Sequence, residues 1–436
     1  MPWTPLHAAL GVSDSDLTFQ LVAEACAQKV AESTQLDWKK ELPLKAVDPV
    51  GKQAQQLELA KDLAAMANSG GGLIVYGVDE VRGSDVSTAA SVVSVGPIND
   101  TITKTIRQVA GNLIYPAISG LALVELIDPS SGDRVLLAIV HDSPDTPHLI
   151  HPPKGGPASS DWFMAPWRNG PDTHWMSERQ LANAYRERQE GRRQREKNMA
   201  QTWKSLSVAC TQGAQDQWVL GVLQPERPHA QPRRLSIGAA WRVLTNCEPA
   251  LRNRGVRGGI SSIDVTRGED MRRGLQRYYR QTPRAMNAQG RVEIHGDGTL
   301  AVGVHRTDGG FMRSGVSGSG TDVAVRDIEQ VGLDLLALLR ATQPLFGATG
   351  DYSLRIGVVP GTSIFRFDDH LTSDFTAWDH QRVLGYENVE GTVIASEGPR
   401  ATVDSIVELI QDAVHQAGTV TPITSDSIWT DIEMNF

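Results

Sequence analysis

Hydrophobic and polar positions follow two different rhythms along the chain, and together they predict a mixture of helices and strands. Apolar residues recur every three or four positions in five segments, which predicts helices at 17–30, 53–68, 99–114, 327–339 and 403–417. Short apolar or alternating runs predict strands at 36–39, 73–78, 121–127, 134–140, 291–295, 300–304 and 352–359. Helices and strands in this order predict an α/β or α+β fold in the first part of the chain and a second α+β domain after it.

A long charged stretch, RERQEGRRQREKN at 186–198, interrupts the apolar pattern. It follows a helix that Ser177 is expected to cap, and it is almost without apolar anchors. We therefore place a domain boundary near residue 198, which divides the chain into domains 1–198 and 199–436. In the second domain, Gly296-Asp-Gly298 predicts the turn of a hairpin, and the Gly/Ser segment 314–321 predicts a flexible loop.

Composition limits the classes of function. The chain has 436 residues and a formal net charge of −9, so any contact with nucleic-acid phosphates must be local. The three cysteines are far apart and form no CxxC pair, which argues against a disulfide framework and a thiolate zinc site. No apolar run approaches the length of a membrane span, and the first residues do not have the pattern of a secretory signal. We expect a cytoplasmic protein without a membrane partner.

Acidic residues in two distant segments are the candidate chemistry. If 36–39 is a strand, Asp37 and Lys39 lie on one face, because side chains alternate. The strand at 73–78 presents Asp79 and Glu80 at its carboxyl end, and Glu32 precedes the first strand. Converging carboxylates repel one another unless a cation compensates, and oxygen ligands suit Mg²⁺ or Mn²⁺. The alternative is that Asp37 and Lys39 form a solvated surface pair and that Asp79-Glu80 is only a turn.

The same residues belong to a longer pattern. Glu32-Ser-Thr-Gln-Leu-Asp-Trp-Lys39 is followed by Ala65-Met-Ala-Asn-Ser-Gly-Gly-Gly72, by Val140 to His148, and by Trp167-Arg-Asn-Gly170 with Thr173. Over roughly residues 15–190 this combination resembles the AlbA_2 domain of the Schlafen family. The resemblance implies a compact α/β (α+β) domain with a mixed sheet that binds nucleic acid. In the animal Schlafens such a domain cuts transfer or ribosomal RNA with three acids and a divalent metal.

Carried over by position, the resemblance implies that Glu32, Asp37 and Glu80 are the catalytic and metal-binding acids. Asp79 is the neighbour that can substitute for Glu80, and Lys39 is the accompanying base. Two departures matter: Asp37 stands where Glu is more usual, which shortens the reach by one methylene, and Trp38 replaces the usual Phe. The animal proteins pair two such modules, so a homodimer is a hypothesis for this chain.

Basic residues predict where nucleic acid would bind. Arginines are concentrated between residues 252 and 284, and within this region Arg272, Arg273, Arg277 and Tyr278 are candidates for contacts to phosphates and unpaired bases. Lys40 and Arg168 are further candidates in the first domain. The alternative is a helix whose charges are simply solvated. His148 and His151 have no further ligands near them in sequence, so we expect loop packing, and the chain has no GxxxxGK[ST] phosphate loop.

Two functional hypotheses follow. The first is a metal-dependent endoribonuclease that acts on structured RNA such as transfer RNA, with DNA as a possible substrate; phage defence or stress response would suit such an enzyme. The second is a non-catalytic DNA- or RNA-binding regulator whose C-terminal domain is a sensor. In both, Asn68 and the glycine run 70–72 are expected to end a helix and turn the backbone sharply.

Overall fold

The structure is a computed structural model of the chain. It describes residues 4–12, 17–44, 46, 48–82, 87–118, 121–151, 162–211, 216–226, 235–252, 261–283, 288–306, 322–346, 350–360, 363–367, 379–383, 386–396, 398–416 and 423–433. They form two compact units, Met1–Gln194 and Arg195–Phe436. Both the division between the units and the predicted boundary at residue 198 fall inside one long helix. The predicted Gly/Ser loop at 314–321 lies outside the described residues.

The first unit alternates helices with short strands. Its elements are α1 (Pro5–Leu10), α2 (Phe19–Ala27), β1 (Leu36–Lys39), α3 (Pro49–Ala67), β2 (Gly72–Tyr76), β3 (Val78–Arg82), β4 (Ser87–Val92), α4 (Asp100–Asn112), β5 (Ile114–Tyr115), β6 (Ala122–Ile127), β7 (Arg134–Val140), β8 (Leu149–Ile150), β9 (Pro166–Asn169), β10 (Asp172–Trp175) and the start of α5 (Glu178–Thr211).

A mixed four-stranded sheet in the order β1-β2-β7-β6 is the centre of this unit, as the resemblance implied. β1 runs parallel to β2, and the other two pairings are antiparallel. One face of the sheet packs on α3 and α4, and the opposite face packs on α1 and α2. Leu36 and Trp38 are buried on the α1–α2 face. Asp37 and Lys39 therefore lie on the α3 face, because neighbouring strand residues point to opposite sides.

Local sequence explains where the helices of this unit begin. The Asp48 carboxylate accepts a hydrogen bond from Gly51 N at the start of α3, and Asn99 caps α4 in the same way through Ile102 N. Proline in the first turn of α3 loses no hydrogen bond there. The predicted helices at 53–68 and 99–114 are confirmed, although α3 begins four residues earlier than its apolar pattern indicates.

The predicted strand at 73–78 is not continuous. Gly77 has a φ of +103°, which ends β2 at Tyr76 and lets the chain enter β3. β3 pairs with β4 in a separate two-stranded sheet. Asp79 and Glu80 are consequently strand residues of β3, with a register shift between them, instead of the turn that follows a strand.

The second unit contains the rest of α5 and a larger antiparallel sheet. Its further elements are β11 (Trp218–Pro225), α6 (Ile237–Arg252), α7 (Ser262–Val265), β12 (Arg272–Gly274), β13 (Arg277–Gln281), β14 (Ala288–His295), β15 (Leu300–Arg306), β16 (Asp322–Ala324), α8 (Val325–Phe346), β17 (Tyr352–Val359), β18 (Ser363–Phe367), β19 (Asp379–Val383), β20 (Val389–Val393), α9 (Pro399–Gln416) and α10 (Ser425–Glu433).

Seven strands of this unit form one antiparallel sheet in the order β12-β13-β14-β15-β11-β17-β20, and β16, β18 and β19 form a second sheet. α6, α8 and α9 bury the apolar side chains of one face of the large sheet. The other face packs against α5 residues Met199, Trp203, Leu206 and Cys210. The predicted hairpin (291–295 and 300–304) is confirmed as β14–β15, and the predicted strand 352–359 coincides with β17.

The arginine-rich region is not one solvated helix. Its described residues contain the end of α6, the short helix α7, and the hairpin β12–β13, which extends the large sheet at its edge. Arg254, Arg257 and Arg284 lie outside the described residues. Adjacent residues of a strand, such as Arg272 and Arg273, point to opposite faces, so the cluster in sequence is divided in space.

Two constraints favour glycine at position 71: a left-handed backbone conformation and the close approach of neighbouring backbone. Gly71 has a φ of +79°, and a Cβ on it would lie 2.6 Å from Asp142 N and 2.7 Å from Val140 O. Gly96 has nearly the same φ, +77°, but a Cβ there meets no described atom within 4 Å.

We expect Gly96→Ala to lower the free energy of unfolding by about 1 kcal/mol, the cost of the left-handed backbone alone. Gly71→Ala should cost clearly more, because the Cβ meets backbone that cannot move aside. Urea denaturation of both variants provides the comparison. Equal losses would show that the close approach to β7 has no energetic weight.

Candidate functional site

A buried aspartate lies at the centre of the predicted site. The Asp37 side chain is 2% exposed on the α3 face of the sheet. Its Oδ1 lies 3.1 Å from a guanidinium nitrogen of Arg168 in β9, which is 3% exposed, and its Oδ2 lies 3.0 Å from Lys39 Nζ. A carboxylate withdrawn from water is stable only with such partners. The solvated pair that was the alternative for Asp37 and Lys39 is therefore not what forms.

Glu32 lies beside Asp37. The Trp38 backbone N–H donates a hydrogen bond of 3.1 Å to Glu32 Oε1, which directs the carboxyl group back along β1. Burial, followed by the negative charges of Asp37 and Glu80, raises the pKa of Glu32 to about 7 against the opposing effect of that hydrogen bond. At neutral pH this carboxyl group is about half protonated, since its pKa lies near the pH. Two carboxyl groups thus meet where the sequence predicted them.

A further acid, Asp62 of α3, lies close to Asp37 and Lys39, although it is not among the acids that the motif pattern predicts. It is 6% exposed, and burial raises its pKa to about 6 although the positive charge of Lys39 opposes the shift. Burial of Lys39 lowers its pKa, but the charges of Asp37 and Asp62 outweigh this effect and raise it. Lys39 therefore stays protonated, and its charge is stabilised by Asp37 and Asp62. The sequence signal for Asp62 is its position in LELAKDLAAMA, a helical segment whose residues are mostly apolar, because acidic residues are rare in such buried segments.

The two acids of β3 have different neighbours. Asp79 forms a salt bridge of 3.1 Å with Lys40 at the surface. Glu80 acts electrostatically on Glu32. Lys40, which was a candidate for nucleic-acid contact, is half exposed in this pair, with 53% of its side chain accessible. Of the two neighbouring acids, Glu80 is the one that lies on the side of Glu32.

The end of α3 brings the remaining motif segments to the site. The Asn68 amide donates hydrogen bonds to His148 O (2.9 Å) and Pro166 O (2.8 Å) and accepts one from His148 N (2.7 Å). The Ser69 hydroxyl accepts a hydrogen bond of 2.7 Å from Arg168 N. These contacts fix the start of β9 and thereby place Arg168 against Asp37. His148 is fully buried, with its Nδ1 2.7 Å from Pro116 O.

The donor atoms fit a divalent cation only in part. The described residues contain no group of three His, Cys, Asp or Glu side chains arranged to hold a metal ion. The buried Asp37 Oδ2 has Lys39 Nζ as its neighbour at 3.0 Å, and the Glu32 carboxyl group lies beside the same carboxylate. Two adjacent carboxyl groups suit Mg²⁺, which commonly takes one or two carboxylates and completes its shell with water and phosphate.

The basic candidates of the second unit are divided between two faces of the sheet. Arg272 and Arg277 lie on the face that packs against α5, whereas Arg273 and Tyr278 lie on the other face. The Tyr278 hydroxyl donates to Leu235 O, and its ring packs against the core. Arg272 and Arg273 are exposed.

Arg277 forms an ion pair with Glu293, a fully buried acid that also holds Arg291 and His295. The three nitrogen–oxygen distances are 3.0, 2.5 and 2.9 Å. Burial would raise the pKa of Glu293, but the hydrogen bond from His295 and the positive charge of Arg291 lower it to about 2. Arg277 therefore has a structural partner, and Arg272 and Arg273 are the more accessible candidates.

Comparison with known proteins agrees with the motif pattern. The family model described as Schlafen, AlbA_2 matches residues 32–176, a stretch that contains Glu32, Asp37, Asp62, Glu80 and Arg168. This part of the chain therefore matches the Schlafen AlbA_2 family. The match covers most of the first unit and none of the second. The AlbA_2 family is nucleic-acid-related, so the match supports nucleic acid as the class of partner for the first unit.

Solved structures also include a similar domain. It is the solution NMR structure of the N-terminal domain of a putative ATP-dependent DNA helicase RecG-related protein from Nitrosomonas europaea. The identity is 16%, the match covers 36% of this chain and 94% of that chain, and the TM-score is 0.23. No curated protein sequence matches the chain. Among the described residues, no helix combines the length and the apolar character needed to cross a bilayer.

The placement of Arg168 generates a test of its role. We expect Arg168→Met to lower the free energy of unfolding by about 3–5 kcal/mol, because it leaves the Asp37 charge buried with one partner. The Asp37→Asn/Arg168→Met double variant should recover part of this loss. Arg179→Met, at an exposed position of α5, is the control. If Arg168→Met unfolds like the control but binds nucleic acid less tightly, Arg168 is a surface contact instead.

The raised pKa of Asp62 predicts a change of stability with pH. The folded state binds a proton more tightly than the unfolded chain, whose Asp titrates near 3.8, so wild-type stability falls as the pH rises from about 4 to above 6. Asp62→Asn lacks this loss. The difference in unfolding free energy, variant minus wild type, should therefore grow by on the order of 3 kcal/mol between pH 4 and pH 7. If this difference in unfolding free energy stays constant between pH 4 and pH 7, the result would contradict the buried position of Asp62.

Proposed function

We propose that the Schlafen AlbA_2 domain of this chain is a divalent-metal-dependent endoribonuclease. The observation that supports this proposal is the contact between two carboxyl groups, Glu32 and Asp37, at a position largely withdrawn from water. Such a pair is costly unless a cation or a proton compensates it. The family of the domain provides the second support, because it is nucleic-acid-related.

In this proposal Glu32 and Asp37 hold Mg²⁺ or Mn²⁺, and Glu80 adds negative charge at the edge of the pair. When bound, the ion would supply a polarised water and stabilise the charge of a phosphodiester under attack. Lys39 is 36% exposed and stays protonated between Asp37 and Asp62, so its ammonium can meet a substrate phosphate. Arg168 does not reach solvent, and its part is to hold Asp37 in place.

RNA is the substrate class that we propose, and structured RNA such as transfer RNA is the first substrate to test. The animal Schlafens, which the motif pattern resembles, cut transfer or ribosomal RNA. DNA is the comparison substrate, because the acidic pair would hold a metal beside either backbone.

The second candidate function is nucleic-acid binding without cleavage. It is favoured by one observation: both oxygens of Asp37 already have a cationic neighbour, Arg168 on one side and Lys39 on the other. With these partners Asp37 needs no metal to stay buried. The domain would then be the nucleic-acid-binding part of a regulator, and the second unit would be a sensor.

Incubation of the full chain with transfer RNA and with duplex DNA, in Mn²⁺ or in EDTA, separates the two functions. We expect cutting of RNA that requires the metal. Glu32→Gln should slow the cutting by more than about 100-fold, since even the partners that orient metal ligands are worth about 10–100-fold. Glu178→Gln, the same chemical change at an exposed position of α5, should cut at the wild-type rate.

Manganese binding should also be measured without substrate, by calorimetry, on the wild type and on Glu32→Gln. Weaker binding of Mn²⁺ by the variant supports a metal site at Glu32 and Asp37 even if the protein does not cut the RNA that was tested. Salt-sensitive binding of nucleic acid with no cutting in any metal would contradict the nuclease and favour the binding function.

A further inference from the structure

The first unit has an open polar groove between α3 and α4, on the helices that cover one face of its sheet. The main cavity of the groove has a volume of about 410 Å³. Its polar and aromatic lining consists of Gln56, Thr105, Gln108, Asn112, Tyr115 and His151. This volume is in the range of sites that hold small molecules, which is about 300–1,000 Å³. None of these residues belongs to the acidic cluster around Asp37.

Two stacked rings form one end of the groove. The Tyr115 and His151 ring centroids are 4.7 Å apart and the ring planes meet at 26°. Backbone pairing fixes this stack: β5 and β8 place Tyr115 opposite Leu149, and His151 N donates a hydrogen bond of 3.2 Å to Leu113 O. Although it is stacked, Tyr115 is 48% exposed. The structure therefore presents a rigidly held aromatic surface to solvent beside polar groups.

The polar groups of the groove have a common chemistry. Gln56, Gln108 and Asn112 each offer a side-chain amide, which carries a donor and an acceptor side by side. A nucleobase edge presents donors and acceptors in the same way, and Asn and Gln are frequent partners of such edges. Aromatic rings provide the other half of base recognition through stacking.

Charge in the groove favours a ligand that carries phosphate. A second cavity of about 280 Å³ shares Gln56 and Thr105 with the first and is also lined by Lys52. Lys52 is exposed at the first turn of α3. The described residues that line the two cavities include no Asp or Glu. A base in the larger cavity would thus have a cation in the adjoining one.

We propose that this groove binds an unpaired nucleotide, with the base against the Tyr115–His151 stack, the base edge on the amides of Gln108 and Asn112, and the phosphate toward Lys52. The site goes beyond the proposed nuclease function, because it requires neither a metal nor cleavage. Two sources share this chemistry: a free mononucleotide, and one base of a single-stranded nucleic acid.

Two binding measurements on the full chain in EDTA test the proposal and separate the sources. The four 5′-ribonucleoside monophosphates are titrated by calorimetry, and a fluorescent single-stranded RNA decamer is titrated by anisotropy. We expect saturable binding in at least one of them. Tyr115→Ala should weaken that binding by about fivefold to a hundredfold, the range found when a stacked base loses its partner. Gln108→Ala should weaken it by about fivefold or more, because it removes an amide that contacts the base edge. Tyr115→Phe should retain most of the affinity, because it keeps the ring.

Tyr185→Ala removes another exposed tyrosine of the same unit and is the matched control. Binding of mononucleotides supports a free nucleotide as the ligand, and binding of the decamer alone supports a base within a strand.

Gln108 is exposed on α4, so Gln108→Ala keeps the test valid even where Tyr115→Ala fails to fold. Absence of binding to both ligands would overturn the proposal. Affinity unchanged by Gln108→Ala, and by Tyr115→Ala where that variant folds, would also overturn it. Because EDTA prevents metal-dependent cutting, neither result depends on nuclease activity.

Discussion

The candidate site depends on one buried ion pair, between Asp37 of β1 and Arg168 of β9. Both side chains are almost inaccessible to water, so neither charge is stable without the other. The pair joins two segments that are far apart in the sequence and fixes the rotamer of Asp37. Because the Asp37 side chain is held in one orientation, its negative charge lies at a fixed position beside Glu32. Lys39 forms an ion pair with the same carboxylate.

The motif that ends α3 gives the ion pair its geometry. Asn68 binds backbone atoms of His148 and Pro166, and Ser69 binds the backbone of Arg168, so a helix end holds β9 in position. Glycines 70 and 71, both with positive φ, then turn the chain directly into β2, which pairs with β1. Residues that look like a turn signal in the sequence therefore assemble the site. This explains in physical terms why segments scattered over the domain form one pattern.

The sequence predicts the parts of this fold that depend on local periodicity. The alternation at 36–39 is enough to place Asp37 and Lys39 on one face of β1, and the turn at Gly296-Asp-Gly298 is enough to predict the hairpin β14–β15. It does not reveal contacts between distant elements. The burial of Arg168 depends on the path of β9, and the ion pairs of Glu293 depend on β13 and β14 being neighbours. The sequence does not reveal the break at Gly77, because an apolar run that continues through a positive-φ glycine has the same composition as one strand.

The site therefore combines a structural ion pair with a contact between two carboxyl groups, and we propose that these carboxyl groups hold a cation. Anomalous diffraction from crystals grown with Mn²⁺ tests this claim directly. We expect a manganese peak about 2.0–2.6 Å from a carboxylate oxygen of both Glu32 and Asp37, the range for such ligands. A structure with Mn²⁺ present in the solution but no peak at the pair, and with Asp37 still bound by Lys39 and Arg168, would contradict it.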